Sequence, residues 1–183
     1  IVKLPELDPL LEIARTILII IVVALLVRAF VVQPFYVIGP SMEPSYRQGE
    51  YLLVDELTYR FRPPKRGEVI VLKFPLDRSK DFIKRVVGLP GETVKISGGS
   101  VYIDGQKLRE AYIDASATEG DEEVKLAADE YFVLGDNRHR GASSDSRDWG
   151  TLHRSEIIGK VWLKLWPVGE AGLAKAPAYE NSR

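Results

Sequence analysis

A serine held in a stiff turn is the first residue of this sequence that could do chemistry. Ser41 lies between Pro40 and Pro44 and closely follows Gly39. Proline fixes the backbone and glycine permits a sharp turn, so the segment can hold the serine hydroxyl and its backbone N–H in fixed directions. Most serines in such turns are purely structural. Ser41 is therefore a candidate nucleophile only if a base lies beside it.

Lys84 is the candidate base for that serine. It lies in the largely apolar run 82–87, where the two-residue period of a strand puts it on the same face as Phe82 and Val86. Burial on that face would disfavour the ammonium form and lower the lysine pKa well below about 10.4, leaving a neutral amine for general-base catalysis. Without such burial, the residue is an ordinary solvated strand lysine.

Other catalytic and metal chemistry is poorly represented. The sequence has no cysteine, which excludes thiol nucleophiles, disulfides and cysteine-ligated metal sites. The only histidines are His139 and His153. The sequence contains neither a Gly-x-Ser-x-Gly elbow nor a His-Glu-x-x-His motif. The charges nearly cancel, with 25 Lys and Arg against 26 Asp and Glu, so no basic excess points to nucleic acid. We predict no cofactor, no metal and no nucleic-acid partner.

A third, polar segment could support the serine and the lysine. Residues 135–138 read Gly-Asp-Asn-Arg, and residues 143–147 read Ser-Ser-Asp-Ser-Arg. We expect Asp145 and Arg147 to form a charge-assisted pair, with a serine hydroxyl of this segment orienting the lysine. An ordinary Asn/Gly/Ser loop has a similar composition, so the pattern alone leaves a purely structural role open.

The elements that must position these residues begin with an apolar run at 13–32. About 20 helical residues at about 1.5 Å each match a hydrocarbon core of about 30 Å. The two interrupting charges, Arg15 and Arg28, lie near the ends of the run. We predict a retained membrane anchor because no small-residue cleavage site follows. A buried helix and the apolar region of a secretory signal are the alternatives.

Beyond Pro34 the sequence changes to short β-type runs divided by turns. These runs predict strands at 50–54, 68–74, 82–87, 93–96, 101–103, 130–134 and 157–165. Gly98 and Gly99 suggest a hairpin between two of them. We predict a mainly β protein with one N-terminal transmembrane helix. Its parts are an anchor segment at 1–33, a catalytic β domain at 34–168 with an acidic surface excursion at 114–129, and a loose C-terminal tail at 169–183.

Taken together, these segments resemble the type I signal peptidases, membrane serine proteases that remove signal peptides from exported proteins. The resemblance covers most of the chain, because the apolar run is followed in order by matching segments at 40–44, 49–54, 84–92 and 135–147. It implies a Ser-Lys dyad, with Ser41 as the nucleophile and Lys84 as the base. The fold it implies is an antiparallel β-rich catalytic domain of the signal peptidase type.

The resemblance also implies a hydroxyl that positions the lysine amine. By position in the motif this hydroxyl belongs to Ser143. The family usually has two residues between Gly-Asp-Asn-Arg and the positioning serine, whereas four residues, 139–142, lie there in this chain. Ser144 is therefore the alternative.

Oxyanion stabilisation and site support are implied in the same way. The backbone N–H of Ser41 would stabilise the oxyanion, and Asp145 and Arg147 would support the site. Some members have a serine two positions before the nucleophile as a second oxyanion donor. This chain has Gly39 there, so a side-chain donor from that position is excluded.

The implied partners are the signal peptides of exported preproteins and a lipid bilayer. The implied location is the outer face of a bacterial plasma membrane, with a thylakoid or organellar membrane as the alternative. Cleavage would follow small residues in the Ala-x-Ala manner, and we expect shallow apolar pockets walled by Phe35, Val37, Met42 and Ile83.

Two other functions are also consistent with the sequence. A self-cleaving repressor-type protease would use the same Ser-Lys chemistry, but the apolar N-terminus argues against it. A membrane-tethered β domain could bind a partner without catalysis, and it would have no reason to activate Ser41.

Overall fold

The strands of the described part of the chain form two antiparallel β-sheets. The computed structural model describes residues 9–30, 32–114, 117–139, 141–177 and 179, with the backbone alone for 24–30. In chain order, the strands of this described part are β1 (Val32–Tyr36), β2 (Tyr51–Asp55), β3 (Val69–Lys73), β4 (Asp81–Gly88), β5 (Thr93–Ser97), β6 (Ser100–Ile103), β7 (Gln106–Lys107), β8 (Glu122–Lys125), β9 (Glu130–Leu134), β10 (Leu152–His153), β11 (Ile157–Trp166) and β12 (Gly172–Leu173).

The larger sheet runs in the order β1-β2-β11-β3-β4-β9-β10, with β12 paired to β11. The smaller sheet runs in the order β7-β6-β5-β8. β3 and β4 lie in the middle of the larger sheet and pair with Ile70 opposite Lys84. β3 is buried over most of its length, which explains why it is a nearly continuous apolar run in the sequence. β4 is also largely buried, although it carries Lys84 and Arg85.

Helices are few in the described part of the chain. They are α1 (Pro9–Phe30), α2 (Thr58–Phe61) and α3 (Ser146–Trp149), with short 3-10 turns at Arg154–Glu156 and Val168–Glu170. Within the described residues, none of these helices meets the combined length and apolarity required of a membrane-spanning segment.

The prediction of a mainly β, antiparallel protein is confirmed. Each of the seven predicted strands is present, and each ends within one residue of the predicted limits. The hairpin at Gly98 and Gly99 is also present, since Ser97 pairs with Ser100 across it. Both glycines have positive φ, +56° and +76°, as a tight two-residue turn requires.

Two short strands lie where the sequence suggested irregular structure. β8 lies within the segment predicted as an acidic surface excursion, and it pairs with β5 through Val94 opposite Val124. β12 lies within the segment predicted as a loose tail, and it pairs with β11 through Leu163 opposite Leu173. β8 completes an edge of the smaller sheet, whereas β12 pairs with β11 near the end of that strand. Neither short strand has a buried residue, so their sequences carry a weak strand pattern.

Candidate active site

Lys84 is held in the middle of β4, between β3 and β9. Only 3% of its surface is exposed. Its amine lies 5.1 Å from the centre of the Phe82 ring, so the two residues share a face of the strand as the alternation predicts. Burial is the main cause that lowers the Lys84 pKa from 10.5 to about 8, while the carboxylates of Asp145 and Asp136 oppose it.

Ser41 lies in a turn that the core and a neighbouring loop hold in place. Gly39 adopts φ +86°, which favours glycine, and Met42 is fully buried in the apolar cluster beneath the turn. The backbone N–H of Asn137 donates to the Ser41 carbonyl at 3.1 Å. The Asn137 side-chain amide donates to the Pro40 carbonyl at 3.2 Å. The turn is therefore fixed from both sides.

These elements bring the serine and the lysine into direct contact. The Lys84 amine lies 3.0 Å from the Ser41 hydroxyl oxygen and 2.8 Å from the Ile83 carbonyl oxygen. A neutral amine at this distance can accept the hydroxyl proton as the serine attacks an acyl carbon, and it can still donate a hydrogen bond to the Ile83 carbonyl.

Asp145 and Arg147 form a bidentate ion pair behind this site. The Arg147 Nε and Nη2 atoms each donate to a different Asp145 carboxylate oxygen at 2.8 Å. Burial opposes ionisation of Asp145, but the hydrogen bonds and charge of Arg147 more than offset it and hold the Asp145 pKa below its ordinary range. Asp145 also accepts from the Gly135 N–H at 3.0 Å. The pair thus ties α3 to the loop at 135–138.

Ser143 and Ser144 occupy different environments. Ser144 is exposed and lines the cleft that contains Ser41. Ser143 is buried against Gly135, where an added Cβ would overlap both the Ser143 hydroxyl and the Ser41 carbonyl. The Ser143 hydroxyl lies close enough to Asp145 to favour its ionised form, yet within the described residues it makes no hydrogen bond of good geometry.

A second buried ion pair, which was not predicted from the sequence, supports the loop at 135–138. Arg85 Nε donates to one Asp136 carboxylate oxygen at 2.8 Å and Nη2 donates to the other at 2.5 Å. Arg85 Nη1 donates to the Gly67 carbonyl at 2.8 Å. Arg85 points away from Lys84 because successive strand residues face opposite sides. The signal in the sequence was an arginine within an apolar strand, which requires a buried partner.

An apolar cleft of about 460 Å³ opens above the Ser41 and Lys84 side chains. Three of the four residues expected to form pockets line it, namely Phe35, Val37 and Ile83. Met42, the fourth, is fully buried in the core and is not among the residues that line the cleft. The remaining apolar lining comes from Tyr36, Ile38, Leu52, Val71 and Phe82.

A buried lysine amine lies against a serine hydroxyl at the base of an apolar cleft. This arrangement suits a serine hydrolase. The family model "Signal peptidase, peptidase S26" matches residues 10–166. The chain therefore belongs to the signal peptidase family, as the resemblance of its ordered segments indicated.

Two relatives compared by sequence agree with the family match. The chain is 41% identical over 185 residues to a protein named signal peptidase I from Leptolyngbya laminosa, with 96% of this chain and 90% of that protein covered. It is 34% identical over 174 residues to a signal peptidase I from Bacillus licheniformis, with 89% and 92% covered. A solved signal peptidase I structure from Enterococcus faecalis V583 is 30% identical, covers 55% of this chain and 97% of that chain, and gives a TM-score of 0.48.

Proposed function

We propose that this protein is a membrane-bound serine endopeptidase that removes N-terminal signal peptides from exported preproteins. The observation that carries the proposal is the 3.0 Å contact between the Ser41 hydroxyl and the buried Lys84 amine. Membership of the signal peptidase family gives the substrate class, and the apolar cleft above the pair suits an extended segment with small side chains.

In the proposed reaction, neutral Lys84 takes the proton from the Ser41 hydroxyl as its oxygen attacks the scissile carbonyl carbon. The backbone N–H of Ser41 stabilises the negative oxygen that forms. Protonated Lys84 then gives its proton to the leaving amine, and the serine ester remains. A water molecule, deprotonated by Lys84, hydrolyses that ester and restores the serine.

Other residues position this pair without reacting. We assign lysine orientation to Ser143, whose buried hydroxyl is next to the loop that holds the Ser41 turn. Asp145 and Arg147 hold the loop from behind through their bidentate pair. Ser144 is exposed, so a hydroxyl there would be less well fixed.

We propose that α1 anchors the domain to the membrane. Between Leu10 and Val23 it carries many large apolar side chains whose exposed fractions lie between 45% and 74%. Such an exposed apolar surface is stable in lipid rather than in water. The catalytic domain would then lie on the outer face of a bacterial plasma membrane, where signal peptides emerge, with a thylakoid or organellar membrane as the alternative.

Preprotein cleavage by the wild-type protein and by Ser41→Ala tests the proposal. We expect the wild-type protein in detergent to release the signal peptide and Ser41→Ala to release none above background, because the nucleophile is missing. The measurement is the mature product detected by gel and mass spectrometry. Turnover by a folded Ser41→Ala protein would contradict the proposed mechanism.

Substrate choice should follow the size of the residue before the cut. Phe35, Val37 and Ile83 narrow the cleft with apolar side chains, which exclude large groups by overlap. Lys80 and Asp81 also line the cleft, but they pair with Asp77 and Lys73 at 2.9 Å and 2.7 Å.

A peptide series with Gly, Ala, Ser, Val, Leu and Phe before the cut measures this preference. We expect kcat/KM to fall at least about 100-fold from Ala to Leu or Phe. Efficient cleavage after Leu or Phe would refute the shallow-pocket interpretation, and so would failure of the Ala peptide.

A further inference from the structure

A buried glutamate lies outside the cleft and holds the loop that contacts the nucleophile. Glu110 forms a bidentate ion pair with Arg138, with distances of 2.9 Å and 2.5 Å between the paired nitrogen and oxygen atoms. The Arg138 side chain is 0% exposed and the Glu110 side chain is 5% exposed. We propose that Glu110 is a positioning residue for the Ser41 reaction, an inference that depends on the function proposed above.

Arg138 connects Glu110 to the loop at 135–138. Its Nε donates to the Gly135 carbonyl at 2.7 Å, and its Nη1 also donates to the Thr118 hydroxyl at 2.8 Å. The Arg138 carbonyl in turn accepts from Arg147 Nη1 at 2.9 Å. A buried guanidinium needs a counter-charge. Glu110 supplies that charge and therefore fixes the position of the Arg138 side chain, which in turn binds the loop.

The same loop fixes the position of the nucleophile. Asn137 donates its backbone N–H to the Ser41 carbonyl at 3.1 Å. Gly135 packs against that carbonyl and the Ser143 hydroxyl so closely that a Cβ has no room. A shift of the loop would therefore move the Ser41 turn relative to Lys84, and reaction rates are sensitive to displacements of about 1 Å.

Tyr112 links Glu110 to Arg85, a residue of β4 that also holds the loop at 135–138. Its hydroxyl donates to Glu110 at 2.6 Å. Its ring centre lies 4.1 Å from the Arg85 guanidinium carbon, and Arg85 holds Asp136 of the loop through two hydrogen bonds. The segment with Glu110 and Tyr112 thus contacts two of the arginines that hold the loop at 135–138, namely Arg138 and Arg85.

Glu110→Gln tests the inference because it removes the charge and nearly conserves the shape. We expect kcat for preprotein cleavage, normalised to folded protein, to fall about 10- to 100-fold while KM stays within about 2-fold. The KM should be nearly constant because Glu110 is not among the residues that line the cleft. Tyr112→Phe keeps the ring on Arg85 and removes only the hydroxyl, so we expect a smaller fall in kcat.

Glu68→Gln is the matched control. Glu68 is also 5% exposed and forms a bidentate pair, with Arg62, at 2.6 Å and 3.0 Å. It contacts neither the 135–138 loop nor the cleft residues through a side-chain hydrogen bond. Glu68→Gln should lower the unfolding temperature as Glu110→Gln does, yet leave kcat of the folded protein unchanged.

The outcomes separate the positioning role from stability and from the proposed function. Wild-type kcat in folded Glu110→Gln would overturn the inference, and so would an equal fall in kcat in Glu68→Gln. If Glu110→Gln does not fold, kcat of the Tyr112→Phe protein is the test. A wild-type kcat in Tyr112→Phe would then overturn the inference. Turnover by Ser41→Ala would instead overturn the proposed function, whatever the result at Glu110.

Discussion

Lys84→Met is expected to lower preprotein cleavage at least about 10³-fold, to the same residual level as Ser41→Ala. The amine is 3.0 Å from the Ser41 hydroxyl, and among the residues that the structure describes no other side chain forms a hydrogen bond with that hydroxyl. Methionine fills a similar apolar volume, and it removes the cost of placing an amine at a site that is 3% exposed. The loss should therefore be chemical and not a loss of fold. The measurement is single-turnover cleavage with circular dichroism of the same samples.

The double variant gives a sharper test of the pair. Because the serine and the lysine act as one unit, Ser41→Ala with Lys84→Met should be little slower than either single variant. Lys95→Met is the control, since Lys95 is 48% exposed and pairs with Glu123 on the smaller sheet. Multiplicative losses in the double variant, or more than about 1% activity in Lys84→Met, would show that Lys84 is not the base.

The larger elements could be predicted from the sequence because each carries its own local pattern. β9 is a run of four buried apolar residues after Glu130 and has the predicted limits, Glu130–Leu134. The burial of Lys84 could be predicted because the strand period puts it with Phe82 and Val86. Patterns of this kind depend on near neighbours in the chain, so a single sequence reveals them.

Residues whose roles depend on distant partners were harder to predict. Met42 follows the nucleophile directly, which suggested a pocket role, but the direction of the turn places its side chain in the core. Glu110 lies in a segment without strand or helix pattern, and its partner Arg138 is 28 residues away. β8 is a strand because its backbone pairs with the free edge of β5, and its own acidic sequence does not favour a strand. Contacts of this kind are set by tertiary structure and leave little local signal.

Activity should rise with pH as Lys84 loses its proton. Burial lowers the Lys84 pKa from 10.5 to about 8, against the opposing influence of Asp145 and Asp136. Below that pKa the amine is protonated and cannot act as a base, so log kcat/KM should increase with a slope of about one up to pH 8 and then level off. Between pH 5 and pH 8 the expected gain is roughly 10³-fold. A plot of log kcat/KM that is flat from pH 5 upward, or one that rises and levels off near pH 6.5, would contradict Lys84 as the base.

Urea unfolding measures the same pKa without relying on catalysis. The unfolded lysine keeps its proton up to about pH 10.5, whereas the folded one loses it above about pH 8, so between these values the unfolded state binds more protons. The free energy of unfolding contributed by Lys84 is therefore lowest below pH 8 and rises with pH across this window. Relative to Lys84→Met, the wild-type protein should gain about 3 kcal/mol between pH 8 and pH 10.5. Both proteins contain the same tyrosines, so their titration contributes equally to the two free energies of unfolding and disappears from the difference. If the difference between the two proteins does not change with pH, the folded Lys84 pKa is not lowered, and the kinetic limb must come from another group.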